Sequence, residues 1–128
     1  MFEKNLNISL LLDFYGDILT DRQKEMLDMY YNDDFSLSEI ADSFSISRQG
    51  VRSVLKKGEV ILTDMENKLR LAQRFVDMKE KSSEIAKQLE YINSEVDNDK
   101  VSSQIHMIIK EIKNMAEWRR CLCFRAYP

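Results

Sequence analysis

Between Ser36 and Lys57 the chain reads SLSEIADSFSISRQGVRSVLKK, a spacing that few local structures accept. Ser36 followed three residues later by Glu39 is a capping box, in which the hydroxyl accepts from a free backbone N–H and the carboxylate returns to the cap's own N–H. A helix therefore starts there, with Leu37, Ile40, Ala41 and Phe44 inward and the small Ala41 where a second helix approaches closely. Ser45 falls at the turn, a position that favours Gly because positive φ strains residues with a Cβ. Ile46 plugs the corner, and Ser47 supplies a second N-cap hydroxyl for a helix opening Arg48-Gln49-Gly50-Val51. Val51, Val54 and Leu55 form the buried stripe of that second helix. Two short helices joined by a tight turn make a helix-turn-helix.

The outward side of the second helix carries Arg48, Gln49, Arg52, Ser53, Lys56 and Lys57, and no acidic residue occurs between Asp42 and Glu59. These six are the candidate nucleic-acid-binding residues. The N-terminal residues of a groove-reading helix point at base edges, where Arg bonds guanine bidentately and Gln does the same to adenine, while later lysines meet phosphates. The competing reading is a solvated basic face on an ordinary amphipathic helix. Against it stands the joint fit of two caps, a small residue, a corner apolar residue and a polar face at consistent positions. Gly50 departs from the pattern, costing about 1 kcal/mol of helix stability relative to Ala.

The strings DFYGDILTDRQ, YYNDDFSLSEIA, SISRQGV and ENKLRL, in that order over residues 5 to 78, resemble the YlxM-type proteins. These are small bacterial proteins with a helix-turn-helix similar to region 4 of sigma factors, encoded beside the signal recognition particle. The resemblance implies a regulatory or accessory role in that pathway, with the particle's RNA or its GTPase as a partner. Beyond residue 80 no string matches.

A chain of 128 residues with three Gly, one Pro and 32% charged side chains favours helices over a turn-rich β fold, so an all-α protein is expected. The expected division is a helix-turn-helix domain over 1–60, a long helix and an antiparallel helical hairpin over 61–120, and a tail over 121–128. No apolar run approaches the ~20 residues that span a bilayer, and no secretory signal opens the chain, so a cytoplasmic protein without a membrane partner is expected. Cys121 and Cys123 read as free thiols, and His106 as a surface or packing residue rather than a metal ligand. Neither a metal nor a cofactor is expected, and with no phosphate loop, Ser/His/Asp set or zinc-hydrolase helix in the sequence, no enzyme.

Net charge is −3, but it is unevenly spread. Residues 1–35 carry three basic and eight acidic side chains, 36–57 four and two, and 58–128 twelve of each. Affinity for phosphates should be modest and salt-dependent.

Along the chain, Leu6, Leu10, Leu11, Phe14 and Ile18 make a packing stripe over 5–19. Thr20 with Gln23 forms another capping box, opening a helix that sends Met26, Leu27, Tyr30 and Tyr31 inward. Asp33 and Asp34 read as a solvated turn. Val51, Leu55, Gly58, Leu62, Met65, Leu69, Ala72 and Val76 follow at alternating spacings of four and three, a heptad seam with Gly58 as its weak point. That helix is expected to run to about Lys79, where KEKSSE breaks the register. Further seams at Ile85, Leu89, Ile92, Val96 and at Val101, Ile105, Ile108, Ile112, Met115 flank a DNDK turn. The seams outnumber the helices available to cover them, so a homodimer is expected, with Leu62 and Leu69 as the positions to disrupt. Two functions of different class remain: a nucleic-acid-binding regulator, DNA being the first partner, and a protein-binding helical adaptor that keeps the helix-turn-helix shape.

Overall fold

The computed structural model describes residues 2–116, with side-chain surroundings for 8–115. Among these residues there is no strand. Helices α1 (Phe2–Tyr15), α2 (Asp21–Tyr31), α3 (Leu37–Phe44), α4 (Arg48–Leu69), α5 (Leu71–Ser94) and α6 (Asp99–Ala116) follow one another, with a 3-10 turn at Gly16–Ile18. The protein is all-α. The chain forms two compact units, Met1–Ala72 and Gln73 onward. The division falls two residues into α5, whereas positions 60 and 61 lie inside α4.

In the first unit α4 is the central helix, packed against α1, α2 and α3. Its seam is buried at Val51, Leu55, Gly58 and Leu62, in one cluster with Leu11, Leu12, Tyr15, Leu19, Met26, Leu27, Ile40, Ala41 and Ala72. Gly58 does not weaken the helix but admits a neighbour: a Cβ there would stand 2.5 Å from Leu27 Cδ1. Both capping boxes form, Thr20 with Gln23 and Ser36 with Glu39.

Several expected positions shift. Leu12 and Tyr15 are buried beside Leu11 in α1, and the 3-10 turn that follows Tyr15 changes the phase, so Leu19 goes inward while Ile18 stays 53% exposed. Tyr30 is exposed, and Tyr31 is the half-buried tyrosine, its phenol donating to Glu59. The fourth helix ends at Leu69 instead of near Lys79, because Arg70 adopts left-handed backbone (φ 55°). That corner is clamped by a buried phenol: Tyr15 Oη donates to Glu66 Oε2 (3.0 Å) and accepts from Leu71 N–H (3.1 Å), and Glu66 accepts from Ala72 N–H (3.1 Å). Burial pushes the Tyr15 phenol up, so it stays a donor. KEKSSE does not break the helix either; α5 runs through it, since nothing there lacks a backbone donor.

In the second unit α5 and α6 form the helical hairpin, turning over residues 95–98, and Asn98 Oδ1 accepts from Lys100 N–H at 3.0 Å. Their contact buries Ala86, Ile105 and Ile109, with Leu89 and Ile112 beside them. Ile109 belonged to no expected seam, while Ile85, Ile92, Val101, Ile108 and Met115 are exposed. The alternating spacing covers two adjacent stripes, and the contact takes one. Leu6 and the 121–128 tail with Cys121 and Cys123 lie outside the described side chains.

Candidate nucleic-acid interface

The two helices of the motif are held by their termini. Ser36 Oγ accepts from Glu39 N–H (3.2 Å) and Glu39 Oε2 from Ser36 N–H (2.7 Å); hydrogen bonding from Ser36 to the carboxylate, its backbone N–H first, holds the Glu39 carboxyl below its ordinary value. At the end of α3, Ser45 takes left-handed backbone (φ 53°, ψ 43°), and Ile46 N–H returns to Ala41 O at 3.0 Å. One such residue reverses the chain, and Ile46 packs against the core between the helices. Ser47 then caps α4, its Oγ accepting from Gly50 N–H at 3.0 Å. A Cβ at Gly50 would lie 3.3 Å from that hydroxyl, so the residue that lowers helix propensity leaves the cap room.

With Val51 and Leu55 in the core, the other side of α4 is turned out. Arg48, Gln49, Arg52, Ser53, Lys56 and Lys57 are all exposed on its first three turns. Arg48, Gln49 and Arg52 border an open depression with Leu37 and Ser38 of α3, while Ser53, Lys56 and Lys57 continue the face further along. Ser38 was not singled out in the sequence; the signal was its place in the first turn of a capped helix, where backbone N–H groups are unpaired and attract anions. The first acid after the basic face, Glu59, is half-buried and accepts from Tyr31 of α2, which draws its carboxylate toward α2. Burial, then the bond to Glu59, pushes the Tyr31 phenol up. The Arg22 guanidinium lies 5.8 Å from the Phe44 ring centroid, tying α2 to the last residue of α3.

His106 is exposed, with Nδ1 2.9 Å from Ser102 O. Among the described residues no group of three or more His, Cys, Asp or Glu side chains is placed to hold a metal ion. No described helix is long and apolar enough to cross a membrane.

Capped helices at a tight left-handed turn, with a basic face on the second, define a helix-turn-helix protein. The chain belongs to the UPF0122 family: the family model described as "Putative helix-turn-helix protein, YlxM / p13 like" matches residues 2–108. A UPF0122 protein of Acetivibrio thermocellus is 42% identical over 113 residues, covering 86% of this chain and 97% of the relative. Another, from Thermoanaerobacter pseudethanolicus, is 40% identical over 110 residues (86% and 94%), and one from Halalkalibacterium halodurans 37% over 115 (90% and 99%).

Proposed function

We propose that the protein is a nucleic-acid-binding regulatory or accessory protein that lays α4 in the major groove of duplex DNA. The observation that carries this reading is the exposed set Arg48, Gln49, Arg52, Ser53, Lys56 and Lys57 on one side of α4, uninterrupted by acid and bordered by the start of α3. Arg48 and Gln49 stand where side chains reach base edges; Arg52, Ser53, Lys56 and Lys57 stand where they reach phosphates. The role is binding rather than catalysis.

With a net charge of −3 the attraction is local, so retention should fall steeply with salt. A gel shift with random duplex DNA at low and moderate salt tests it. The wild type should shift DNA at low salt and the Arg48→Glu, Arg52→Glu double variant should not. A wild type that shifts no DNA at low salt refutes the reading.

The finer assignment is to the signal recognition particle pathway in the cytoplasm, and it rests on the family resemblance, including the sigma-region-4-like motif. Structured RNA has a deep, narrow major groove closed to a helix, so the particle's RNA would be held through phosphates and exposed loops, with Gln49 nearly irrelevant. Its GTPase would instead engage helices after residue 80. Pull-downs with the purified RNA and the purified GTPase separate the two, and failure to retain either at low salt removes the pathway assignment. A homodimer completes the reading, since paired motifs present two recognition helices.

A further inference from the structure

Of the two seam positions of α4 expected to carry pairing, Leu62 is fully buried in the first unit, and Leu69, the last residue of the helix, is 47% exposed. The hairpin of the second unit is different. Met78, Ile85 and Ile92 of α5 recur every seven residues, as do Val101, Ile108 and Met115 of α6, and each is between 36% and 55% exposed.

At about 100° per residue, each stripe lies beside the line of Ala86, Leu89, Ile105 and Ile109 where the helices meet, on one flank of its helix. Which flanks coincide is settled by an ion pair. Glu90 and Lys113 sit on the opposite flanks from the stripes, and they meet at 3.1 Å. One side of the hairpin is therefore polar, and the two apolar stripes share the other.

We propose that this shared apolar side of α5 and α6 is the dimer interface of the protein, occupied by the same side of a second copy. The proposal deepens the function given above and rests on it only for its consequence, the pairing of two α4 helices.

Two observations select a second copy as the occupant. A repeat of seven on both helices suits a facing pair of helices with the same repeat, which this chain itself supplies. The edges are opposite in sign, since by helical position Arg74 and Lys81 border the stripe on α5 while Glu111 borders the one on α6. The size is that of a small interface. Eighteen residues of α6 at about 1.5 Å each, beside α5 at about 9 Å, give a face of roughly 27 by 18 Å, about 490 Å² before side-chain relief, against the ~800 Å² per partner of a standard interface. Within the described hairpin, by contrast, three residues are buried, too few to hold two helices alone.

Sedimentation equilibrium of the full chain at micromolar concentration should give twice its 15.1 kDa mass. Ile85→Glu with Ile108→Glu should give the single mass with helical circular dichroism retained. Tyr91→Glu with Met107→Glu, on the backs of the two helices, should leave the dimer intact. If the stripe variant loses its helicity, Ile85→Ser and Ile108→Ser singly decide by dilution, each raising the dimer dissociation constant about tenfold. A wild type that sediments as a folded monomer, or stripe variants that dimerise as tightly as wild type, overturns the proposal and leaves the face to a different protein. Gel shifts on the same samples keep the readings apart: a dimer that shifts no DNA refutes the nucleic-acid function and not the interface.

Discussion

Gly58 lies midway along α4, and the space a methyl group would need is filled by Leu27 Cδ1. Alanine would gain about 1 kcal/mol of helix propensity, but overpacking a fully buried contact costs about 1 to 3 kcal/mol. Gly58→Ala should therefore destabilise the chain by about 1 kcal/mol in urea unfolding, and a stabilised variant would mean that Leu27 yields freely. The exposed side of the same helix makes a different prediction. Arg48→Ala and Gln49→Ala should weaken preferred DNA sites over random DNA by about 1 to 3 kcal/mol per lost bidentate contact. Lys56→Ala should weaken all sequences alike and lower the salt slope by about one. Binding equal to wild type in all three variants would exclude this face.

Helix α3 is short, eight residues, so its capping box is a large part of its own stability. Bonds from Ser36 favour ionised Glu39 in the folded chain, which holds its pKa below the unfolded value. The stabilisation is then complete above the ordinary carboxylate pKa and disappears as pH falls through the lower folded value. Glutamine at this position keeps an acceptor without titrating, as Gln23 does for Thr20 N–H at 3.2 Å in the box that opens α2. Below about pH 4.3 wild-type stability should fall more steeply than that of Glu39→Gln, read by thermal unfolding across acid pH. Parallel curves would show that the carboxylate adds nothing to the box.

At the scale of the molecule, the buried cluster from Leu11 to Ala72 is complete within the first unit. A fragment of residues 1–76 should unfold cooperatively on its own, followed by tyrosine fluorescence or circular dichroism. If the hairpin carries the dimer, the fragment should also bind DNA more weakly than the full chain while keeping the same dependence on Arg48. A fragment without a cooperative transition would show that the first unit leans on the rest of the chain.

Caps and the corner of the motif were legible without a structure because their chemistry is closed within four or five residues: Ser36 needs Glu39, Ser47 needs an N–H three residues on, and both meet those partners. The exposed basic side of α4 was legible for the same reason, since each residue turns the helix by about 100°, and a stripe at Val51, Val54 and Leu55 facing inward leaves Arg48, Arg52 and Lys56 facing out. Burial across elements was not. The seam from Val51 to Val76 reads as one continuous helix, yet Tyr15, fifty-six positions before Leu71 in the chain, clamps a corner at Arg70. Equal spacings put Leu62 in the core and leave Ile85 and Ile108 outside, because a repeat marks which residues share a stripe and says nothing of what lies against it. That is decided by packing between distant parts of the chain, where Leu27 requires a glycine at position 58 and Ala86 faces Ile105 and Ile109 while the neighbouring stripe stays open.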